Sequence, residues 1–294
     1  MKKITNAFLL IILFLSLTNT GISYASAICL SDSGWSNPDI GTWDPATKTA
    51  TLTQDLTESI QIDIDGVTLD GNRHMVQGSG SGIGVYLNGR TAVIVKNFKV
   101  KGFTHGIYLE SSQNNNIIGN TVSDNSLEGI YLYGSSNNTL TANSVLNNRY
   151  GILCSSGNNN TIINNTATSN NIGIFVSWSD KNIITNNTAT SNSSYGILIN
   201  ASNNTITGNT VSNSGSGIYI ANLNNNTLID NIITSSATGI EIFNSSDNAI
   251  INNSASNNNR GIAVTSYGEY SVNNTFTGNI ATLNNETGIF LCSS

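Results

Sequence analysis

Short runs of alternating apolar residues recur along the chain, and each begins at a glycine. "GIYL" at 106–109 and "GIYLY" at 129–133 are two examples. Alternation with a period of two predicts short β-strands, and a spacing near 22 residues predicts a solenoid. The glycines that begin these runs are Gly84, Gly106, Gly129, Gly151, Gly173, Gly196, Gly217, Gly239, Gly261 and Gly288.

Two further apolar columns follow each glycine run, so each coil is predicted to hold three short strands and four inward stacks. A leucine-rich repeat has a similar period, but its L-x-x-L-x-L pattern is missing. The favoured fold is therefore an all-β parallel β-helix of about ten or eleven coils. The two columns are Ile117, Leu140, Ile162, Ile184, Ile206, Leu228, Ile250 and Phe276, and then Val122, Val145, Ala167, Ala189, Val211, Ile233, Ala255 and Ala281.

Asparagine recurs with the same period between the apolar columns. One column runs from Asn115 to Asn274, and a second follows it by five residues, with an apparent upstream continuation through Asn97 and Asn72. Stacked amides about 4.8 Å apart can donate to one neighbour and accept from the other, which predicts a structural ladder. The second column is Asn120, Asn143, Asn165, Asn187, Asn209, Asn231, Asn253 and Asn279.

The residue before the second asparagine column belongs to a type that tolerates positive φ, which predicts a tight corner there. These residues are Gly71, Gly119, Asn164, Asn186, Gly208, Asp230, Asn252 and Gly278.

These strands and corners resemble the right-handed parallel β-helix repeat proteins, especially the NosD-type family. The resemblance is carried by the "GIYL", "GIFV" and "GILI" strands, by corners such as Asn138–Asn143, and by the segment Val67–Asn72. It covers roughly residues 55–294 and implies a right-handed helix. It leaves the activity open, because such repeats occur in polysaccharide lyases and hydrolases, in surface proteins and in copper-system accessory proteins.

The N-terminal part of the chain lacks the repeat. Residues 1–27 combine Lys2 and Lys3, an apolar run and an A-x-A site, which predicts a signal peptide and an exported protein, extracellular, on the cell surface or periplasmic. Residues 28–50, with Trp35 and Trp43, are predicted to cap the first coil.

The repeat domain is assigned to residues 51–294, and the chain stops directly after the core strand that contains Phe290. Either the chain is a fragment, or its last coil makes an end-to-end contact with another molecule.

Charge and cysteine content restrict the partners. The net charge is −6, with 11 basic and 17 acidic residues, which argues against nucleic acid and anionic membranes. No second apolar run is long enough for a membrane span. Cys29, Cys154 and Cys292 allow at most one disulfide, and Cys154 falls in an apolar column, where burial is expected.

A copper site is the first metal to consider, because the resemblance to NosD-type proteins implies one. Copper prefers His, Met and Cys ligands. His74, Met75 and His105 share no column, so we predict no copper site and no cofactor.

A calcium site is a weaker candidate. Asp63, Asp65 and Asp70 lie close together near the first coil, and oxygen-rich clusters hold Ca²⁺. Asp63 and Asp65 also alternate with Ile62 and Ile64, so a solvated strand face is the competing interpretation.

An acid–base site is a further hypothesis, with His105, Glu110 and Glu128 on two neighbouring coils as candidate catalytic residues. His105 and Glu128 both precede a strand glycine and should stack, so they could serve as acid and base. Glu110 stands in another column, so the separation of the two carboxylates stays open. The lysines and arginines look scattered, without the cation cluster that a uronate lyase needs.

An aromatic stripe is the clearest surface signal. Its outward positions predict a glycan-binding surface, although ring stacking that only stabilises the sheet is the alternative. The candidates are Tyr86, Tyr108, Tyr131, Tyr133, Phe175 and Tyr219.

The sequence thus favours a non-catalytic rigid scaffold or glycan-binding surface, with carbohydrate or cell-envelope components as partners. A polysaccharide-active enzyme, either a lyase or a glycoside hydrolase, is the first alternative. A NosD-like accessory protein of a copper system is the second.

Overall fold

The chain folds into a β-solenoid of about ten turns, built almost entirely from parallel strands. The computed structural model describes residues 27–266 and 271–292. The predicted parallel β-helix is confirmed, with three sheets running along the axis. The predicted signal peptide, apart from Ala27, and the last two residues lie outside the described residues. The described part contains no helix that is long and apolar enough to cross a membrane.

Sheet A contains the long strands in which each repeated glycine is the second residue. Its central strands have six residues, and all its strand pairs are parallel except the first. In spatial order, the strands are Gly34–Trp35, Ile28–Ser31, Ile60–Ile62, Ile83–Asn88, His105–Glu110, Glu128–Tyr133, Tyr150–Ser155, Ile172–Ser177, Tyr195–Asn200, Ser216–Ala221, Thr238–Phe243, Arg260–Thr265 and Thr287–Cys292.

Sheet B follows sheet A in each coil and has mostly three-residue strands. A short 3-10 helix, Pro38–Ile40, precedes its first strand. The strands are Gly41–Asp44, Thr49–Leu52, Thr68–Asp70, Ile94–Lys96, Asn116–Ile118, Thr139–Thr141, Thr161–Ile163, Ile183–Thr185, Thr205–Thr207, Thr227–Ile229, Ala249–Ile251 and Thr275–Thr277.

Sheet C completes each coil, again with three-residue strands. The strands are Met75–Gln77, Lys99–Lys101, Thr121–Ser123, Ser144–Leu146, Thr166–Thr168, Thr188–Thr190, Thr210–Ser212, Ile232–Thr234 and Ser254–Ser256.

The core consists of the four predicted inward stacks. In one coil these are Ile130 and Leu132 from sheet A, Leu140 from sheet B and Val145 from sheet C, and all four are fully buried. Burial of such a side chain contributes about 1.5–3 kcal/mol. The period-two pattern therefore identified the core correctly, because only alternate strand residues can reach it.

The repeated glycines are required by a lack of space. A Cβ atom on Gly151 would lie 2.5 Å from the carbonyl oxygen of Gly173 and 2.9 Å from Nδ2 of Asn170. Any side chain would push this strand away from the next coil, which explains why glycine is the second residue of each six-residue strand.

Buried asparagines at the corners form hydrogen-bonded ladders. Asn187 donates from Nδ2 to Oδ1 of Asn209 at 3.0 Å and to the carbonyl oxygen of Ile162 at 2.8 Å. Its own Oδ1 accepts from the backbone N–H and from Nδ2 of Asn165, at 2.9 and 3.1 Å. Each ladder residue therefore ties its coil to the coils on both sides.

The structure contains a third ladder that the sequence did not reveal to us. It lies at the corner between sheets C and A, five residues after the second column. Asn148, for example, donates from Nδ2 to Oδ1 of Asn170 at 3.2 Å. Serine replaces asparagine in two coils. The members are Asn125, Asn148, Asn170, Asn192, Ser214, Ser236, Asn258 and Asn284.

The prediction that the second asparagine column continues upstream through Asn97 and Asn72 is wrong. Phe98 occupies the ladder position in the coil before Asn120, and its backbone N–H donates to Oδ1 of Asn120 at 3.0 Å. Asn97 instead lies exposed at the corner, with φ 59°. The strand register is fixed by the buried apolar residues, and it places the asparagine one position too early to point inward.

The predicted corner residues adopt positive φ from Gly119 onward. The φ angles run from 53° at Asp230 to 66° at Gly278. Gly71 is the exception: in its coil the positive φ angles are 47° at Asn72 and 66° at Arg73.

The N-terminal segment folds against the first coils as two antiparallel pairs. Ile28–Ser31 pairs with Gly34–Trp35, and Gly41–Asp44 pairs with Thr49–Leu52. Trp35 is buried, and its Nε1 donates to the carbonyl oxygen of Thr42 at 3.1 Å. Whether this segment is needed as a cap stays a prediction.

The three cysteines are free thiols in the described chain. Cys154 points into the core as expected, and burial raises the pKa of its thiol to about 12. Cys154 is therefore a small core residue and not a reactive group.

Candidate functional site

The outer face of sheet A carries a tyrosine stripe, formed by Tyr86, Tyr108 and Tyr131. The parallel register places the three residues directly side by side on neighbouring strands. Ring centroids are 5.4 Å apart for Tyr86 and Tyr108 and 4.9 Å apart for Tyr108 and Tyr131, with interplanar angles of 28° and 7°. The rings cover one another's faces, so the middle of the stripe offers ring edges and hydroxyl groups to a ligand.

His105 and Glu128 lie beside the stripe and are in direct contact. They are in register on neighbouring strands, and Nδ1 of His105 lies 2.5 Å from Oε2 of Glu128. The imidazole also packs against Tyr108 and Tyr131, with centroids 5.4 and 5.9 Å apart. The two residues that the sequence placed one strand apart therefore form a hydrogen-bonded pair.

Glu110 lies at the other end of the same strands. It accepts a hydrogen bond from the hydroxyl of Tyr86, and its register partner is Tyr133, five residues beyond Glu128. Five strand residues span roughly 16 Å. The two glutamates therefore have separate partners, and the backbone does not hold them face to face as a carboxylate pair for glycoside hydrolysis requires.

The tyrosine hydroxyls of the stripe are uncharged hydrogen-bond donors, and the carboxylates of Glu110 and Glu128 lie near them. Burial raises the pKa of Tyr108 well above its ordinary value, and the negative charge of Glu110 raises it further. Burial likewise raises the pKa of Tyr131, followed by the effect of Glu128. Both hydroxyls therefore stay protonated at neutral pH and can donate to a ligand.

The remaining aromatic candidates, Phe175 and Tyr219, lie two and four coils beyond Tyr131 along sheet A. Tyr219 packs against Tyr195 at 5.1 Å and Phe243 at 6.3 Å, whereas Phe175 packs against Tyr150 at 5.9 Å. These contacts form two separate ring groups, and the group of Tyr195, Tyr219 and Phe243 is called the second cluster.

Glu241 belongs to the second cluster and is not among the site residues predicted from the sequence. Ser216 Oγ donates to its Oε2 at 3.4 Å. Burial raises the pKa of the Glu241 carboxyl, partly offset by the Ser216 hydrogen bond and the charge of Arg260. Its place after Tyr219 in the outward column was visible, but its burial depends on neighbours from three coils.

The calcium candidates are held by different partners. Asp63 accepts from Gln61, Asp65 from the backbone of Thr91, and Asp70 from Asn97 and Lys96. Within residues 27–266 and 271–292, no three His, Cys, Asp or Glu side chains are grouped to hold a metal. Calcium binding here stays a prediction without a geometric site behind it.

The sequence and fold match those of known β-helix proteins. The family model described as "Right handed beta helix region" matches residues 81–211 and 157–294. No curated protein gives a significant sequence match.

Three solved structures illustrate the likeness in fold. The A-module of mannuronan C-5 epimerase AlgE4 from Azotobacter vinelandii has a TM-score of 0.56 at 17% identity, covering 81% of this chain and 75% of that one. An alginate lyase from Paenibacillus sp. str. FPU-7 has a TM-score of 0.56 at 13% identity, covering 78% and 98%. Tailspike protein 2 of bacteriophage CBA120 has a TM-score of 0.58 at 14% identity, covering 83% and 43%. Identities at this level establish a shared fold and no shared activity.

Proposed function

Because this chain belongs to the right-handed β-helix family, we propose that it is an exported, non-catalytic scaffold whose sheet A binds a neutral glycan. The glycan lies along the solenoid axis over the tyrosine stripe. Export rests on residues 1–27 and is tested by N-terminal sequencing of the protein secreted by its host.

The tyrosine stripe is the observation that carries this proposal. Its neighbouring ring centroids are 5.4 and 4.9 Å apart, which is close to the length of one sugar residue. The hydroxyls of Tyr108 and Tyr131 are donors, and the half-buried Glu110 supplies an acceptor, whereas Glu128 is buried against His105. The negative charge of the glutamates favours a neutral chain over a uronate.

Tyr133 extends this surface with a ring that a sugar can cover. It is 45% exposed and tilted by 46° against Tyr131, so one ring face is open. The sugar's C–H face can pack there, while the stacked rings contribute hydroxyls.

The experiment removes the hydroxyls and keeps the stack. Tyr108→Phe with Tyr131→Phe should lower retention of neutral polysaccharides in affinity gels, while Tyr150→Phe on the same sheet should not. Tyr108→Ser with Tyr131→Ser should lower retention further, with a β-rich circular dichroism spectrum preserved. If the wild-type protein retains no neutral glycan in a broad array, the stripe is structural and the protein is a rod.

A polysaccharide-active enzyme is the second candidate, favoured by the His105–Glu128 contact. Such a pair can move a proton in cleavage of a glycosidic bond. Neutral and acidic polysaccharides are incubated with the protein and assayed for reducing ends and unsaturated uronates. Activity that Glu128→Gln abolishes with the fold intact would replace the scaffold proposal.

An accessory role in a copper system is the third candidate and rests on the NosD-type resemblance alone. His105 contacts Glu128, and His74 contacts Asp55 at 3.2 Å, so the two imidazoles have different partners. We expect titration with Cu(I) and Cu(II) to reveal no stoichiometric site tighter than micromolar.

A further inference from the structure

Four cations that look scattered in the sequence, Arg73, Lys96, Lys99 and Lys101, lie at or near the corner between sheets B and C. Lys99 and Lys101 share one strand, which lies between Met75–Gln77 and Thr121–Ser123. The backbone N–H of Arg73 donates to the carbonyl oxygen of Asn97 at 2.8 Å, so Arg73 lies one coil away from Asn97. Cations that are far apart in the sequence are therefore neighbours in the first coils.

A shallow cleft opens between these cations. Gly119 leaves room at its rim, because an added Cβ would have only Asn97 Oδ1 nearby, at 3.5 Å. Most later coils place asparagine, alanine or aspartate at this corner, whose side chains would fill the space. The cleft is lined by Arg73, Asn97, Phe98, Lys99, Gly119 and Thr121.

The positive charge at the cleft is only partly neutralised. Lys96 pairs with Asp70 at 3.2 Å, and Asp55 pairs with His74 and also lies near Lys99. Arg73, Lys99 and Lys101 form no ion pair with any residue that the structure describes. Arg73 and Lys99 are exposed at the surface. An acidic protein thus keeps a local excess of positive charge at one corner.

We propose that this corner cleft binds the anionic groups of an acidic polysaccharide, that is, carboxylates or sulfate esters. The planar guanidinium of Arg73 can hold one anionic group through two hydrogen bonds, and the Lys99 ammonium supplies a second contact. Lys101 lies two strand residues further on, about 7 Å from Lys99, and faces the next anionic group along a polymer.

A polyanionic glycan fits this surface better than a nucleic acid does. Phe98 is buried under the cleft, so no ring at the cleft is available for stacking of unpaired bases. The net charge of −6 also repels a long nucleic acid outside the patch. The cleft lies away from sheet A, so this proposal stands independently of glycan binding at the tyrosine stripe.

The test uses Arg73→Asn with Lys99→Gln, in the full mature chain. Asparagine suits the positive φ of 66° at residue 73. The matched control is Lys181→Asn with Arg149→Gln, which removes the same charge and also changes one residue at positive φ, 59° at Lys181. Thermal melts verify that both variants fold. The probes are polygalacturonate, heparin, neutral dextran, double-stranded DNA and inorganic sulfate.

We expect the wild type and the control to bind polygalacturonate or heparin at low ionic strength, and salt to weaken this binding. The cleft variant should bind at least about tenfold more weakly, since it loses two charge-assisted contacts. Any binding of neutral dextran should be equal in the wild type and the cleft variant, because an uncharged glycan makes no charge-assisted contact with the cleft. The proposal is overturned if the control loses as much affinity as the cleft variant, if DNA binds as tightly as both glycans, or if sulfate alone is bound.

Discussion

The coils before residue 115 and the coils after it close the same corners with different chemistry. In the earlier coil, Val93, Phe98 and Phe103 occupy the three corner positions and are buried. In the later coils, buried asparagine or serine takes most of these positions. The backbone N–H groups of the three apolar residues still donate to Asn115, Asn120 and Asn125, at 2.9, 3.0 and 3.0 Å. The ladders thus begin on an apolar coil.

The coils that carry the regular ladders differ from the coils that carry the candidate binding residues. Where the ladders run, most outward positions of sheets B and C are Thr, Ser or Ile, and neighbouring coils are nearly interchangeable. Where the ladders begin, the outward positions carry the tyrosine stripe, the His105–Glu128 pair and the corner cleft. The candidate sites lie where residues depart from the repeat. The repeat itself supplies the buried apolar side chains and the backbone hydrogen bonds, so it needs none of these departing residues for the fold.

The largest loss of stability is expected from truncating the buried apolar side chain at a corner. Phe98→Ala should lower the free energy of unfolding by about 3–5 kcal/mol, because it empties a fully enclosed space at the start of a ladder. Urea unfolding followed by circular dichroism measures this loss. Phe98→Leu is the control and should lose much less. Equal stability of all three proteins would show that the apolar coil does not support the ladder.

A smaller loss is expected from breaking one ladder in the later coils. Asn187→Ala leaves the backbone N–H and the amide of Asn165 without their buried acceptor, which costs on the order of 1–3 kcal/mol. The neighbouring Asn186 is exposed at positive φ, so Asn186→Gly should change stability little. An unchanged thermal midpoint for Asn187→Ala would contradict the structural role of the ladder.

The smallest effect is expected from Glu241 in the late coils. Its pKa is raised, so folding favours the protonated carboxyl. Below its ordinary value of 4.5, both the folded and the unfolded chain bind this proton, and no stability is lost. As the pH rises through the folded pKa, the buried carboxyl ionises and the folded state loses stability.

Glu241→Gln should therefore raise the melting temperature at pH 7 relative to the wild type more than it does at pH 4. Melts at both pH values check the sign. A larger gain at pH 4 would mean that the carboxylate is stabilised in the folded state.

The repeat made most of the fold predictable, because one period of 22 residues specifies the strands, the inward stacks and two of the asparagine columns. The third asparagine column was overlooked because serine interrupts it at Ser214 and Ser236. The start of the second ladder was misplaced because Asn97 and Phe98 are adjacent, and only the register shows which of them points inward.

The candidate sites were predicted less completely. The in-register contact of His105 with Glu128 follows from column positions, which a sequence provides. The corner cleft does not, because Arg73 and Lys99 are 26 residues apart and occupy different column positions. The face-to-face stacking of the tyrosines depends on side-chain rotation, which is not encoded in the spacing.

Each ladder asparagine forms hydrogen bonds only with residues in its own coil and the adjacent coils. This locality means that whole coils can be added or lost during evolution. A tandem duplication of one 22-residue unit would insert a coil whose new amides meet the same donors and acceptors as the old ones. The rod would lengthen by about 4.8 Å without disturbing any other coil. The number of coils between two binding surfaces is thus free to drift, and selection can set their separation in steps of one repeat.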